Sequence, residues 1–186
     1  LHVNFEELLS APKNVIIGNL PYHLTGPLLF HVLGEMENSD YPLRNRLSHA
    51  VFMIQKEVGE RLLAKPGDTQ YSQLSLQLQY WYNIERVCMV PRTAFEPIPK
   101  VDSIVVKLTP RKEPQVPVKN LAKLSKLIKL AFLHRRKTAL NSLKISGYPE
   151  DKLVDIYSQL DIDTKFRPQE LSIKHYAFIT DMLQSS

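Results

Sequence analysis

Four consecutive residues, Asn19-Leu20-Pro21-Tyr22, have the types needed to present an aromatic amine to an electrophile. The exocyclic amine of adenine is a poor nucleophile because its lone pair is delocalised into the ring. A catalyst must place acceptors on the N–H groups and aim the lone pair at the electrophile. The Asn19 side-chain oxygen is one candidate acceptor and the Leu20 carbonyl another. Pro21 fixes its own φ and restricts the residue before it, so that carbonyl has a constrained direction. Tyr22 has the ring to stack on an unstacked base. The competing interpretation is an ordinary strand-to-helix turn, since Asn and Pro are common turn residues and Tyr often fills a core.

A second group is the loop Phe95-Glu96-Pro97-Ile98-Pro99-Lys100-Val101-Asp102-Ser103, preceded by Pro91. Its prolines lower the entropy cost of holding a ring at a fixed angle. Phe95 is the candidate for a second aromatic face opposite Tyr22; alternatively it caps the core, and Asp102 and Ser103 only begin a strand. A third group is Phe132-Leu133-His134-Arg135-Arg136-Lys137-Thr138-Ala139-Leu140-Asn141. With Lys119, Lys123, Lys126 and Lys129 before it, residues 119–137 carry seven basic side chains and no acidic one. Lys119, Lys123 and Lys126 are expected on one helical face, opposite the leucines. That pattern suits a phosphate backbone, or else a solvated helix face.

Other chemistries find little support. The six histidines show no metal-ligand spacing, and the six glycines never fall as G-x-G. Cys88 is the sole cysteine, so no intrachain disulfide forms and a reducing compartment is expected. No Ser/His/Asp or Cys/His nucleophile arrangement stands out. No apolar run approaches the roughly 20 residues that span a bilayer, and no signal peptide is visible.

The elements that must position these groups follow from pattern. Val15–Ile17 reads as a buried strand, then Thr25 as an N-cap and Pro27 in the first turn of a helix ended by Gly34. Glu35–Asn45 reads as a polar loop. His49–Ile54 is a second strand and Lys56–Ala64 a helix. Gln70–Tyr80 is a helix with Leu74, Leu78 and Trp81 at i, i+4, i+7. Ile84–Val90 and Ser103–Leu108 are strands close enough to pair antiparallel. Strands alternating with helices argue for an α/β sheet. Beyond the proline-rich stretch 109–118 only helical patterns appear: a stripe of Leu121, Leu124, Ile128 and Ala131, then Lys137–Ile145, Leu153–Leu160 and Gln169–Leu183. A boundary is therefore expected near residue 112, with an α/β domain over 1–112 and an all-α domain over 113–186. Residues 1–110 carry net charge −1 and residues 111–186 net +6, within a total of +5. The back half is the part expected to meet a polyanion.

Taken in order, these segments resemble the ribosomal RNA adenine dimethyltransferase family, the bacterial 16S enzyme and its relatives. The residues that carry the resemblance are Gly18-Asn19-Leu20-Pro21-Tyr22, Gln55-Lys56-Glu57-Val58 with Arg61-Leu62, and Tyr71-Ser72-Gln73-Leu74-Ser75. They continue with Val90-Pro91 leading to the Phe95–Ser103 loop, and Arg135-Arg136-Lys137-Thr138 with Asn141-Ser142-Leu143. The resemblance implies the C-terminal part of a Rossmann-like S-adenosylmethionine-dependent methyltransferase domain, plus a small all-α domain. It implies S-adenosyl-L-methionine as cofactor and N6,N6-dimethylation of two adjacent adenosines in small-subunit rRNA during ribosome assembly. Asn19 would lie between amine and cofactor, touching both, with Leu20 and Pro21 beside it; Tyr22 would stack on adenine and Phe95 lie on its other side. Lys100, Lys119, Lys123, Lys126, Arg135, Arg136 and Lys137 are expected to contact RNA. The expected partner is a pre-ribosomal 30S-type particle, met by a monomer in the cytoplasm or an organelle, with no membrane. The family's glycine-rich cofactor loop precedes the segment matching Leu1, so this chain is expected to be the back two-thirds of such an enzyme and inactive alone. Two rivals remain: a non-catalytic rRNA-binding assembly factor, and an adenine methyltransferase acting on DNA.

Overall fold

The computed structural model describes residue 11, residues 13–134 and residues 136–184, which form two compact units. Among the described residues, the first takes those up to residue 63 with 81–112, the second 64–80 with those from 113 to 184. Phe5–Leu9, whose sequence reads as the end of a connection, and Arg135 lie outside the described residues.

The first unit is a mixed α/β layer. Strand β1 (Asn14–Asn19) leads through a 3₁₀ turn (Tyr22–Leu24) into α1 (Thr25–Leu33). A short α2 (Pro42–Arg46) enters β2 (Leu47–Gln55), which runs straight into α3 (Lys56–Leu63). Strands β3 (Tyr82–Val90) and β4 (Ser103–Pro110) complete a four-stranded sheet of order β1-β2-β4-β3. β1 and β2 are parallel; β4 is antiparallel to β3, as expected, and also to β2. Ala50, Phe52 and Ile54 of β2 and Ile104, Val106 and Leu108 of β4 are all buried, the period-2 face of two interior strands. On β1, Val15 and Ile17 are 48% and 78% exposed, so the run expected to be buried is open on one face.

Three local expectations give way. Thr25 is not the N-cap: Leu24 holds that position, and the Thr25 hydroxyl donates instead to the Pro21 and Tyr22 carbonyls at 3.2 and 3.3 Å. The 3₁₀ turn already starts the coil, so Thr25 lies inside the helical run and not ahead of it. Pro42 opens a helical turn at N1, where its missing N–H costs nothing. The helix expected over 70–80 is shorter, and Trp81 lies outside it. Trp81 donates its Nε1–H to the Met36 carbonyl (2.9 Å) and lies beneath the Arg44 guanidinium, 4.0 Å from the ring centroid. Gly34 does end α1, at φ 78°, and packs against the Tyr41 ring, which a Cβ would meet at 2.6 Å.

The second unit is helical. α4 (Gln73–Gln79) carries a capping box between Ser72 and Ser75. α5 (Leu121–Ala131) is capped by Asn120, whose Oδ1 accepts the Lys123 N–H at 3.0 Å. α6 (Ala139–Ile145), α7 (Glu150–Gln159) and α8 (Ile173–Gln184) follow. Leu124, Leu127 and Ile128 of α5, Leu143 of α6, Leu153 and Ile156 of α7 and Tyr176 and Ile179 of α8 make its core. Tyr80 donates to the Val116 carbonyl (2.9 Å), and burial pushes its phenol up to about 12, so it stays a donor.

Candidate functional site

β1 ends where its parallel pairing with β2 ends, at Asn19 opposite Met53. The Leu20 N–H donates to the Met53 carbonyl at 3.0 Å, and the Leu20 side chain is buried. Leu20 is thus pinned on two sides, and its carbonyl accepts no hydrogen bond among the described residues. Pro21 is extended (φ −60°, ψ 129°), which turns the chain out of the sheet into the 3₁₀ turn. Asn19 is exposed, and its amide has no partner among the described residues. A side chain of this kind at the carboxyl end of a parallel strand has both a donor and an acceptor to offer a ligand.

Tyr22 is half-buried, and its hydroxyl meets Ser103 Oγ at 2.6 Å. Ser103 is the first residue of β4 and completely buried, with Gln55 of β2 and Val90 of β3 as its strand neighbours. The loop between β3 and β4 is closed at its base. Asp102 Oδ1 accepts the Arg92 N–H at 3.0 Å, while the Asp102 carbonyl accepts the Lys56 N–H at 3.0 Å. A 3₁₀ turn (Arg92–Ala94) and the cis Glu96–Pro97 peptide shape the segment between. Phe95, half-buried, follows that turn.

These two stretches meet in one open pocket of about 430 Å³, lined by Asn19, Leu20, Pro21 and Tyr22 from one and Phe95, Glu96, Pro97 and Pro99 from the other. All five candidate catalytic residues therefore lie together. Lys100 does not line that pocket. It lines a separate concavity of about 540 Å³ with Lys56, Arg92 and Asp102.

The basic residues of the helical unit are arranged less regularly than expected. Lys123 and Lys126 are exposed on α5, opposite its buried leucines. Lys119 precedes the helix, because Asn120 is the cap; its N–H bonds Asp181 Oδ1 at 3.2 Å. Lys137 is in the turn before α6 rather than within it, because Thr138 caps that helix through the Asn141 N–H. Arg136 and Lys137 are exposed and line a concavity of about 300 Å³ with Leu133 and His134.

A protein-family model described as ribosomal RNA adenine dimethylase matches residues 3–185. The chain belongs to that family. It is 39% identical over 188 aligned residues to the ribosomal RNA small subunit methyltransferase A of Bacillus mycoides (strain KBAB4), covering 98% of this chain and 62% of the relative. The chain thus spans about three-fifths of the length of the curated relatives it matches. Among solved structures it is similar to a dimethyladenosine transferase from Plasmodium falciparum, with TM-score 0.67 and 29% identity over 89% of this chain and 65% of that one. It also shares its fold with the 23S rRNA methyltransferase ErmE, at TM-score 0.67 and 21% identity over 95% of this chain and 69% of that one. The mixed α/β unit is thus of the Rossmann-like methyltransferase kind, as the family resemblance implied.

In the sequence Ser103 reads only as the start of a strand. Its signal was weak, since a lone serine before a β-branched run reads as a boundary residue.

Proposed function

We propose that this chain is part of an enzyme that transfers methyl groups from S-adenosyl-L-methionine to N6 of two adjacent adenosines in small-subunit rRNA during ribosome assembly. The single observation that carries this reading is the pocket shared by Asn19–Tyr22 and Phe95, in a chain of the rRNA adenine dimethylase family. The proposed enzyme works as a monomer in the cytoplasm on a pre-ribosomal 30S-type particle. No helix among the described residues is long and apolar enough to cross a membrane.

The Asn19 amide at the carboxyl end of β1, without a partner among the described residues, fits the methyl-donor end of this cofactor, and Asn19 would hold it there. S-adenosyl-L-methionine, when bound, supplies an electrophilic methyl group. The chain's own work is positional. The Asn19 side-chain oxygen and the Leu20 carbonyl accept the adenine N6 hydrogens, aim the lone pair and stabilise the charge that develops on nitrogen. Pro21 holds that carbonyl out of the sheet. Tyr22 and Phe95 stack on the flipped base, so that it is presented without freedom to rotate. Lys100, Lys119, Lys123, Lys126, Arg135, Arg136 and Lys137 contact RNA phosphates.

The test is methyl transfer to immature small-subunit particles by the full-length protein. Asn19→Ala should lower kcat/KM by about 10²-fold or more, the scale of losing one preorganised polar contact to a developing charge. Tyr22→Ala should lower it by roughly 5- to 150-fold, the scale of one stacked base. Unchanged activity in both variants removes the assigned site.

A further inference from the structure

We propose that Ser103 is the positioning residue for the Tyr22 ring, and that its hydroxyl sets the angle at which that ring meets the target base. This rests on the base-stacking role proposed for Tyr22. Tyr22 belongs to a short 3₁₀ turn with no buried residue in it. The turn's backbone is tied, by the Leu24 N–H to the Pro21 carbonyl at 3.0 Å and by the Thr25 hydroxyl to the Tyr22 carbonyl. Those bonds fix the Cα and leave the ring two rotations. A tyrosine's χ1 has three staggered wells and its χ2 a broad one, so backbone anchoring alone does not fix the ring plane. The contact from the Tyr22 hydroxyl to Ser103 Oγ, at 2.6 Å and across 81 residues, supplies the missing constraint at the far end of the ring.

Ser103 is suited to be the fixed partner. It has no exposed surface, and it belongs to β4, which is paired on both sides, so its Cα cannot drift. The preceding residue, Asp102, closes the base of the loop that carries Phe95. Adjacent residues therefore hold both parts of the pocket: Asp102 the loop that bears one ring, Ser103 the second ring itself. A base entering the pocket meets a Tyr22 face already oriented. That lowers the ordering cost of stacking and excludes ring orientations in which N6 would miss the Asn19 and Leu20 acceptors.

The experiment is a mutant cycle on the full-length protein with RNA carrying 2-aminopurine at the target adenosine. Stacking is read from quenching of the bound probe, and affinity from the titration. Ser103→Ala should weaken binding roughly two- to tenfold, the scale of one hydrogen bond, and should brighten the bound probe. Tyr22→Phe, which keeps the ring and removes the hydroxyl, should do the same, and the double variant should be no worse than either single one. Additive losses, or a Ser103→Ala protein as tight and as quenched as the parent, would overturn the assignment. Tyr22→Ala separates the two ideas. If it changes neither affinity nor quenching, the stacking role fails and this inference with it; if it changes both while the cycle is additive, only the inference about Ser103 fails.

Discussion

At the scale of single residues, the proposed site divides its labour between groups assigned to touch the base and groups that hold them. Phe95 is proposed to be of the first kind, and its loop is closed whether or not the ring is present, because the closing bonds run through Asp102. Phe95→Ala should therefore cost about 1–3 kcal/mol in binding an unstacked adenosine while leaving the unfolding midpoint within a degree or two of the parent. Fluorescence titration and calorimetry on the same preparation check the two halves of that statement. The candidate ligand-contacting residues were legible in the sequence because Asn-Leu-Pro-Tyr and the proline loop combine unusual residue types in fixed order. Their supports were not. The Tyr22–Ser103 contact joins residues 81 apart, and the Thr25 hydroxyl bonds backward into the 3₁₀ turn rather than forward into a cap. Neither leaves a local trace.

At the scale of elements, two close fits govern whether the sheet can carry the site. Gly59 on α3 lies so near β4 that a Cβ there would stand 2.2 Å from Ile104 Cγ2. The helix must approach closely because it follows β2 without a connecting loop. Gly59→Ala should destabilise the protein by about 1–3 kcal/mol through overpacking, measured by urea unfolding. The second case is the start of α8. The Ser172 N–H donates to His175 Nδ1 at 3.2 Å, and the His175 N–H donates to Ser172 Oγ at 3.3 Å, a reciprocal cap built on an imidazole. Burial holds His175 below the usual histidine value, so the folded chain keeps it neutral and the unfolded chain binds the proton more readily. Stability is then full above about pH 6.5 and falls as pH drops below it, because protonation removes the acceptor and puts a charge at a helix N-terminus. Urea midpoints at pH 7 and pH 5.5 should differ in the parent, and the difference should shrink in His175→Gln. Helix and strand identities were mostly readable from period. Boundaries were lost where a proline opened a helix, at Pro42, and where Trp81 continued an apolar spacing after the helix had ended.

At the scale of the molecule, charge and chemistry are segregated. The pocket belongs to the near-neutral α/β unit, and the surplus of lysine and arginine belongs to the helical one. Neutralising about five duplex phosphates predicts that log K for rRNA falls with log salt at a slope near −4.5. Reversing the charge of Lys123, Lys126 and Arg136 should flatten that slope by about 2.7 in a filter-binding or anisotropy titration. The sole tryptophan gives the division a practical use. Trp81 belongs to the first unit only, held under a guanidinium that melting would release. Its emission colour is thus a built-in gauge of one unit, while far-ultraviolet dichroism is weighted toward the helices of the other. Two denaturation curves from a single cuvette would tell whether the halves come apart together or in turn.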